Sequence, residues 1–307
     1  MDQKKIIVVG STNMDMVVKT THIPVPGETV LGGSFFMNPG GKGANQAVAV
    51  ARLGGDVTFV SKMGNDVFGK QSFQLLEEEG INTAYIVSDD ELPSGVALIT
   101  VDESGQNSIV VAQGANATLI PEDIKQVLHE IEHCTIVLLQ LEIPMPTVEF
   151  LVEFAATKET TVILNPAPAA QLSDAMLKHI DIITPNESEA SILSGIPVTD
   201  IESARQAALA IQKLGVKTVI ITLGPQGALI LDQSEFQIVP ARVVETIDST
   251  AAGDVFNGGL AVALAEGKSI ADAVGFACEA AAFSVTRLGA QSSIPYRNEL
   301  IANTLAI

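Results

Sequence analysis

Short apolar runs recur along most of the chain, and many alternate with amphipathic stretches. Strands buried in a parallel sheet read as continuous runs of Val, Ile and Leu, whereas helices repeat their apolar positions every three to four residues. Buried strands are predicted at residues 6–10, 57–63, 135–142, 161–165, 180–184 and 218–223. Helices are predicted at residues 47–53, 121–132, 146–157 and 269–287, before residue 79, and after residues 186 and 254. The alternation predicts a parallel sheet covered by helices on both faces.

Two regions carry shorter, partly alternating strand patterns with no helix between the strands. These strands are predicted at residues 14–18, 29–37, 94–101 and 107–111. They predict a small β lid formed by approximately residues 12–40 and 94–112. Because no internal repeat or linker interrupts the pattern, we expect residues 1–307 to form a single catalytic domain that carries this lid.

The charge balance excludes several classes of partner. Asp and Glu number 36 against 17 Lys and Arg, which gives a net charge of -19. A field of this sign repels polyanions, so nucleic acid and anionic membrane are not expected partners. A small anion such as a nucleotide is still compatible, because backbone dipoles and a divalent cation can hold it locally.

The chain is expected to reside in a reducing cytoplasm. The apolar run at residues 6–10 is too short for a secretion signal or a membrane span. Cys134 and Cys278 lie far apart and outside any Cys-x-x-Cys spacing, so we expect two buried free thiols rather than a disulfide or a metal site.

The stretch Ile-Asp-Ser-Thr-Ala-Ala-Gly-Asp at residues 247–254 places a carboxylate at the start of an Ala-rich helix. Unpaired N–H groups at a helix start attract anionic oxygens, so Ala252 and Gly253 predict an anion-binding turn. Asp254 cannot bind phosphate by charge, but it can accept the proton of a hydroxyl that attacks phosphorus. The alternative is that Asp254 or Asp248 merely caps the helix.

A glycine-rich stretch, Pro-Gly-Gly-Lys-Gly-Ala-Asn-Gln at residues 39–46, precedes the first predicted helix. The glycines allow backbone to approach a ligand, and Lys42 and Asn45 offer donors to hydroxyl oxygens. The alternative is a plain glycine turn with a solvated lysine.

Two further strand ends carry polar or glycine residues. Asn186 and Glu189 are spaced so that an amide and a carboxylate could order a hydrated cation, although a helix capping box predicts the same two residues. Gly224 and Gly227 follow the last buried strand and precede a predicted hairpin partner at 228–232. They permit close approach of a base or a phosphate, but the pair is a weak signal.

Two other patterns are interpreted as ordinary structure. Gly64, Gly69 and Lys70 match most of a P-loop, but Gln71 lacks the hydroxyl that would bind magnesium, so we expect an ordinary strand-to-helix turn. His129 and His133 could share a helix face, yet no third ligand is evident, so a solvated surface pair is expected rather than zinc.

Taken in order and at their spacing, the motifs at residues 40–47, 186–189 and 248–254 resemble those of the PfkB carbohydrate kinase family, from about Ile6 to Ile294. The resemblance implies a doubly wound α/β fold with a mostly parallel sheet and a small antiparallel β lid, which also forms a homodimer contact. It implies that ATP phosphorylates a sugar hydroxyl, and the branch with the most similar motifs acts on the 5-hydroxyl of D-ribose.

The resemblance also assigns roles to individual positions. Asp254 matches the catalytic base, and Ala252 and Gly253 match the anion hole. The sugar-contacting positions are Asn13, Asp15, Gly40, Gly41, Lys42, Asn45, Glu142 and Asp254. The positions for ATP and Mg²⁺ are Asn186, Glu189, Thr222, Gly224, Gly227, Gly253 and Cys278. The positions for a monovalent cation, K⁺, are Asp248, Thr250, Ser284, Arg287, Gly289 and Ser293.

Three positions depart from the family pattern. Ala252 stands where the family often has Gly, and Asn65 replaces a common Asp. Cys278 lies near the adenine position where some members have His, which leaves the base contact open. For the cation, Asp248 supplies a carboxylate and the other positions mostly backbone carbonyls, which suits a weakly hydrated ion. The alternative is an inert loop after residue 287.

Two other functions remain compatible with the sequence. Another kinase of the same family could act on fructose, adenosine or a related substrate, but Asp15 and the glycine-rich stretch favour a small polyol. A nucleoside would need an aromatic platform, and only 4% of residues are aromatic. A sugar-sensing protein without catalysis would have no need of Asp254.

Overall fold

The computed structural model describes residues 5–304, so both ends of the predicted domain, 1–4 and 305–307, lie outside the described residues. The strands are β1 (Lys5–Val9), β2 (Asn13–Lys19), β3 (Phe35–Gly40), β4 (Asp56–Gly64), β5 (Asn82–Asp89), β6 (Gly95–Val101), β7 (Asn107–Ala112), β8 (Ile136–Leu139), β9 (Thr161–Leu164), β10 (Ile182–Ile183), β11 (Thr218–Thr222), β12 (Ala228–Asp232) and β13 (Glu235–Val239). The helices are α1 (Lys42–Arg52), α2 (Val67–Glu78), α3 (Pro121–Ile124), α4 (Leu128–His133), α5 (Met145–Ala156), α6 (Asp174–Leu177), α7 (Glu187–Ser194), α8 (Ile201–Lys213), α9 (Ala252–Ala265), α10 (Ile270–Ser284) and α11 (Arg297–Thr304).

The large sheet has nine strands in the order β13-β12-β11-β10-β9-β8-β1-β4-β5. All neighbours from β5 to β11 pair in parallel, and the two strands after β11 pair antiparallel. Ile6 and Val8 of β1 pack in a core with α1, α9 and α10, whereas Ile7 and Val9 pack in a second core with α4, α5 and α8. The predicted doubly wound α/β fold is confirmed, because alternate side chains of one strand enter two cores.

The predicted small sheet is also confirmed. Its order is β3-β2-β6-β7, and its outer pairs β2–β3 and β6–β7 are antiparallel. The central pair β2–β6 is parallel, a detail that the hairpin patterns did not indicate. One cross-strand row joins Met37, Met16, Leu98 and Val110, and Leu98 and Val110 are 55% and 64% exposed. The small sheet therefore presents an apolar row to solvent.

Strand β3 begins at Phe35 rather than at residue 29. Gly32 and Gly33 precede it, and glycines in a strand interior offer no side chain to pack, which shortens the strand. The strand continues through Pro39, because β3 is an edge strand on which a missing N–H is tolerated.

Helix α1 begins at Lys42, five residues before the predicted start. Gly41 is its N-cap with φ of 89°, a left-handed conformation that glycine adopts without strain. The earlier start places Lys42, Asn45 and Gln46 at helical spacings of three and four, so their side chains share one face.

Several elements were not predicted, namely β5, β13, α6, α8 and α11. No helix within residues 5–304 has both the length and the apolar character needed to cross a membrane. The carboxyl ends of β1, β8, β9, β10 and β11 meet at one edge of the large sheet. In open α/β sheets, ligands bind outside this edge.

Candidate active site

Asp254 lies in the first turn of α9 and is 6% exposed. The helix begins after Ala251, which has a left-handed φ of 61°, and no side chain caps its start. The Asp254 carboxylate instead accepts from Asn45 Nδ2 at 3.0 Å and from Gln46 Nε2 at 2.9 Å. The capping alternative is therefore wrong for Asp254, whose carboxylate faces helix α1 rather than the N–H groups of its own helix.

Opposing effects act on the pKa of Asp254. Burial raises the pKa of Asp254, and the nearby Glu142 adds to this effect. The positive charge of Lys42 and the amides of Asn45 and Gln46 act in the opposite direction, because they favour the carboxylate. A carboxyl with a raised pKa is a stronger proton acceptor once ionised.

Asp15 lies across the site from Asp254, on strand β2. Burial is the main reason that the pKa of Asp15 rises to about 7, and the charges of Glu142 and Asp254 raise it further. A Cβ on Gly40 would lie 2.2 Å from Asp15 Oδ2, so only glycine leaves room for the carboxylate. The carboxylates of Asp15, Glu142 and Asp254 thus act on one another electrostatically within one site.

Lys42 is the cation among these carboxylates. Burial lowers the pKa of Lys42, but the charges of Asp254, Glu142 and Glu189 outweigh burial and raise it. The side chain is half-buried, so the alternative of a solvated lysine on a plain glycine turn is wrong. Position 41 requires glycine, because a Cβ there would lie 2.8 Å from the Asn13 backbone nitrogen.

The orientation of Asn45 corrects one expectation. We expected Asn45 to donate to a hydroxyl, but its amide nitrogen donates to Asp254, because an ionised carboxylate can only accept. Asn45 Oδ1 is buried and has no hydrogen-bond partner among the described residues. Asn45 therefore presents an acceptor to the site.

Asn13 and Glu142 each have a partner that the sequence patterns did not identify. Asn13 Oδ1 accepts from Asn116 Nδ2 at 2.9 Å. Glu142 Oε2 accepts from Ser11 Oγ at 2.5 Å and from the Lys42 N–H at 3.1 Å. Ser11 was indicated only by its place after β1, whereas Asn116, in a 3-10 turn after β7, had no signal.

Asn186 and Glu189 form the capping box that was the alternative to a cation motif. Asn186 Oδ1 accepts from the Glu189 N–H at 2.8 Å, and the Asn186 N–H donates to Glu189 Oε2 at 2.9 Å. Glu189 also responds to charges of the site, since burial raises its pKa, the Asn186 N–H and Lys42 lower it, and Asp254 raises it. Asn186 forms a parallel β-bridge with Thr222, which brings alongside the loop at residues 222–227, the predicted nucleotide loop. Capping and cation ordering are compatible, and cation ordering stays a prediction.

The two glycines of the nucleotide loop differ. Gly227, with φ of 97°, would place a Cβ 2.0 Å from the Val239 carbonyl oxygen, so its small size serves the hairpin. Gly224, with φ of 54°, has open space around the Cβ position. Cys278 is buried on α10 in an apolar core, and burial raises the pKa of its thiol to about 11. Contact between Cys278 and a base stays a prediction, and both cysteines are buried and free as expected.

Two of the predicted cation positions, Thr250 and Gly289, are hydrogen-bonded to a third, Asp248. Asp248 Oδ1 accepts from the Thr250 N–H at 2.9 Å, and Asp248 Oδ2 accepts from the Gly289 N–H at 2.9 Å. Burial raises the pKa of Asp248, but a hydrogen bond from the Thr250 hydroxyl at 2.6 Å and the two backbone hydrogen bonds outweigh burial and lower it, so the carboxylate is ionised. Asp248 therefore does not cap α9, which begins at Ala252. One of its oxygens stabilises the turn at Thr250, and the other ties that turn to the loop after α10.

The other three cation positions have local side-chain partners. The Ser284 hydroxyl donates to the Ala281 carbonyl and the Ser293 hydroxyl to the Ala290 carbonyl. The Arg287 guanidinium pairs with Glu299 at 2.7 Å. The side chains of Ser284 and Ser293 bond within their own turns and that of Arg287 pairs with α11, so backbone carbonyl oxygens are the groups that these positions could offer to a cation.

Both patterns interpreted as ordinary structure lie outside this site. Asp66 caps α2 by accepting from the Gly69 N–H at 2.8 Å, as in an ordinary strand-to-helix turn. His129 and His133 are exposed with their rings edge to face. The expectation that no third ligand lies nearby is wrong, because Glu132 lies within 4.8 Å of both. Glu132 accepts from Lys158 at 2.7 Å, which already neutralises its charge.

A doubly wound sheet with a buried carboxylate at a helix start and a lysine beside it is an arrangement expected of an α/β enzyme of the phosphoryl-transfer class. The model of the pfkB family of carbohydrate kinases matches residues 3–297. The chain therefore belongs to the pfkB carbohydrate kinase family.

Relatives align with nearly the whole chain. A ribokinase from Haemophilus influenzae is 45% identical over 299 residues, which cover 97% of this chain and 98% of the relative. The crystal structure of a ribokinase from Thermotoga maritima aligns with a TM-score of 0.89 at 42% identity and covers 98% of this chain and 99% of that one. The structure of a ribokinase from Arabidopsis thaliana, complexed with ribose and ATP, aligns with a TM-score of 0.92 at 34% identity and covers 98% of each chain.

Proposed function

We propose that the chain transfers the γ-phosphoryl group of ATP to the 5-hydroxyl of D-ribose, which yields ribose 5-phosphate and ADP. The observation that carries this proposal is the Asp254 carboxylate, which is buried, oriented by two side-chain amides and adjacent to Lys42. The near full-length similarity to ribokinases, one of them complexed with ribose and ATP, supports ribose as the acceptor and ATP as the donor.

In this proposal Asp254 accepts the proton of the attacking 5-hydroxyl. The Gly253 N–H lies at the start of α9, where it can stabilise negative charge on the transferring group, and the Ala252 N–H, which donates to the Ser249 carbonyl oxygen at 3.2 Å, would contribute as a shared donor. A Cβ on Gly253 would meet no atom within 4 Å, so the backbone faces open space in which a phosphoryl group fits.

The sugar is held by the groups around Asp254. Asp15 and Glu142 accept from sugar hydroxyls, and Lys42 donates to a hydroxyl oxygen. Asn45 would accept through its unpaired Oδ1. Asn13 accepts from Asn116 through its oxygen, so its amide nitrogen would be the group that donates to the sugar. The glycines at 40 and 41 keep the backbone close to the sugar.

The nucleotide and Mg²⁺ would bind at the sheet edge beside the sugar. Asn186 and Glu189 would hold hydrated Mg²⁺, and the fit rests on an oxygen-rich pair of side chains next to Lys42 and Asp254. When bound, Mg²⁺ neutralises charge on the phosphates. Thr222, Gly224 and Gly227 would contact the nucleotide, and Cys278 would lie near its base.

A monovalent cation, K⁺, would bind beside the anion-binding turn. Asp248 is an ionised carboxylate that joins Thr250 to Gly289, and carbonyl oxygens of Ser284, Arg287 and Ser293 would complete the site. The role of this site would be to fix the turn before Asp254.

The chain would form a homodimer through the small sheet. The exposed row Met37, Met16, Leu98 and Val110 is apolar, and covering such a row removes it from water. The opposite face holds Asp15 and the buried Ala97, so one sheet would serve both as the lid of a single domain and as the dimer contact. The expected cytoplasmic location also stays a prediction.

The proposal is tested by measuring ADP release with D-ribose, 2-deoxy-D-ribose, D-fructose and adenosine as acceptors. We expect the highest kcat/KM with D-ribose. A higher value with fructose or adenosine would assign the chain to another kinase of its family. Ribose binding by calorimetry without ADP release from any acceptor would favour a sugar sensor instead.

A further inference from the structure

Behind Asp254, a chain of buried hydrogen bonds runs away from the sugar pocket. Gln46 Nε2 donates to Asp254 Oδ1 at 2.9 Å and to Asn165 Oδ1 at 3.1 Å. Asn165, which follows β9, donates from Nδ2 to the Thr184 carbonyl oxygen at 3.3 Å. The base is thereby linked from helix α1 to the ends of two strands.

The same series of hydrogen bonds leads back to the anion-binding turn at Ala252 and Gly253. The Thr184 hydroxyl donates to Asn257 Oδ1 at 2.6 Å, and Asn257 Nδ2 donates to the Gly253 carbonyl oxygen at 2.8 Å. Gly253 precedes Asp254, so the hydrogen bonds close into a ring. We call these four residues the positioning ring: Gln46, Asn165, Thr184 and Asn257.

Every member of the positioning ring is shielded from water. Gln46 is 0% exposed, Thr184 and Asn257 are each 1% exposed, and Asn165 is 6% exposed. Buried amides and hydroxyls cost free energy unless they are paired, and apolar side chains would fill this space more favourably if only packing mattered. Four such groups around a carboxylate therefore indicate a requirement beyond stability.

The direction of the ring is fixed by its neighbours. Gln140 Nε2 donates to Gln46 Oε1 at 2.6 Å, so the Gln46 oxygen faces Gln140 and its nitrogen must face Asp254. The Gly253 carbonyl belongs to the peptide that precedes Asp254, so Asn257 fixes the backbone of the base. Thr184 comes two residues before Asn186, so the ring also reaches the capping box of Asn186 and Glu189.

We infer that Gln46, Asn165, Thr184 and Asn257 are positioning residues that hold the Asp254 carboxylate and the Gly253 turn in one geometry for phosphoryl transfer. This inference rests on the proposed function, in which Asp254 is the base and the turn binds the phosphoryl group. None of the four takes part in the chemistry itself. They act by preorganisation, because the groups need no rearrangement when the substrate charge develops.

Two consequences distinguish positioning from packing. Loss of the Thr184 hydroxyl should lower kcat by roughly tenfold while KM for ribose stays within about twofold, because the sugar contacts are untouched. Loss of the Gln46 amide removes a donor to the ionised form of Asp254. The pKa of Asp254 then rises, and the acid limb of the kcat profile moves to higher pH by roughly one unit.

The experiment compares Thr184→Val, Thr184→Ser and Thr147→Val with the wild-type enzyme. The Thr147 hydroxyl is 0% exposed and donates to the Leu119 carbonyl at 2.6 Å, so Thr147→Val loses an equally buried hydroxyl elsewhere. We expect Thr147→Val to keep the wild-type kcat, Thr184→Val to lose about tenfold, and Thr184→Ser, which retains the hydroxyl, to recover most of that loss.

The Gln46→Met variant, whose side chain is similar in shape to that of glutamine, is used to measure kcat as a function of pH. Circular dichroism checks that this variant folds. If Gln46→Met does not fold, the kcat values of Thr184→Val and Thr184→Ser decide between positioning and packing. If the wild type is active and Thr184→Val has the same kcat as Thr147→Val, the positioning role alone is overturned. The same holds if Gln46→Met leaves the acid limb of the kcat profile unchanged. A wild type that releases no ADP with any sugar would overturn the proposed function and the inference with it.

Discussion

Asn45 Nδ2 donates to Asp254 Oδ2 at 3.0 Å, across 209 residues of sequence. This contact joins the glycine-rich stretch to the start of α9, and it leaves Asn45 Oδ1 as an unpaired acceptor in a buried site. A sugar hydroxyl that donates to Asn45 would lie beside the carboxylate that we propose as the base. In the proposed function, one amide therefore couples sugar recognition to base catalysis.

Replacing Asp254 by Asn is expected to lower kcat by about 100- to 10,000-fold, the usual contribution of a general base, because an amide cannot accept the hydroxyl proton. Ribose and ATP should still bind, which calorimetry can measure. Asp90→Asn, at an exposed carboxylate that accepts from Asn65, is the control and should keep wild-type turnover. Near wild-type kcat in Asp254→Asn would exclude Asp254 as the base.

Gly253→Ala tests the space in front of the anion-binding turn. Alanine favours a helix over glycine by up to about 1 kcal/mol, so the variant should be no less stable in urea unfolding. The added methyl points into open space that the phosphoryl group would occupy, so kcat should fall roughly 100-fold, a typical cost of displacing reacting groups by about 1 Å.

Gly275→Ala is the matched control, since Gly275 lies inside α10 and its nearest neighbour would be Val239 Cγ1 at 4.0 Å. It should gain stability and keep wild-type kcat. Equal activity of the two glycine variants would show that the Gly253 turn does not face the reacting group.

The pKa of Asp15 predicts a pH dependence of stability in the absence of sugar. An unfolded Asp carboxyl loses its proton near pH 3.8, whereas folded Asp15 keeps its proton up to about pH 7. Between these values the folded state holds a proton that the unfolded state has lost, so raising the pH through this window removes stability. The loss attributable to Asp15 should be on the order of 3 kcal/mol.

Asp15→Asn should flatten this dependence, because the amide does not titrate and no longer repels Glu142 and Asp254. Urea unfolding of both proteins at pH 4, 5.5 and 7 gives the difference in the free energy of unfolding. A difference that is constant across the three pH values would mean that Asp15 titrates normally in the folded state.

The sequence predicted the parts of the site that follow strand ends or carry glycine. Glu189 could be found because it follows the parallel strand β10, and the carboxyl ends of parallel strands meet at one edge. Asp254 and Lys42 could be found because each lies at a helix start beside small residues or glycine. Gly41 could be found because a turn into a helix at φ of 89° favours glycine. Such features depend on local chemistry and on the alternation of elements, both of which the sequence carries.

The positioning ring could not be predicted, because it depends on the register between strands. Strands β9 and β10 pair Ile163 with Ile182 and Leu164 with Ile183, which places Asn165 beside Thr184 at the sheet edge. A shift of one residue would separate them, and no local pattern specifies that register. The orientation of Asn45 was missed for a related reason, since only the position of Asp254 decides which end of the amide faces it.

A charged residue in the apolar row of the small sheet should weaken the proposed dimer. Val110 lies opposite Leu98 in the β6–β7 pair and is 64% exposed. Val110→Lys should raise the dimer dissociation constant at least about tenfold, because a buried lysine without a partner costs free energy. Ile301→Lys, at a 57% exposed position on α11, is the control. Sedimentation that gives equal dissociation constants for both variants would place the dimer contact elsewhere.

Asp248→Ala tests the proposed monovalent cation. Asp248 ties the Thr250 turn to Gly289, so its loss should loosen the turn before Asp254 whether or not a cation binds.

Stabilising the turn and binding a cation are distinguished by measuring wild-type kcat at fixed ionic strength in potassium chloride and in tetramethylammonium chloride. Tetramethylammonium is too bulky for a carbonyl-lined site. We expect kcat in potassium to be at least about tenfold higher in the wild type, and this ratio to fall toward one in Asp248→Ala, because the variant lacks the only carboxylate among the proposed ligands. Equal wild-type rates in both salts, with a slower Asp248→Ala, would assign Asp248 to the turn alone and remove the cation from the mechanism.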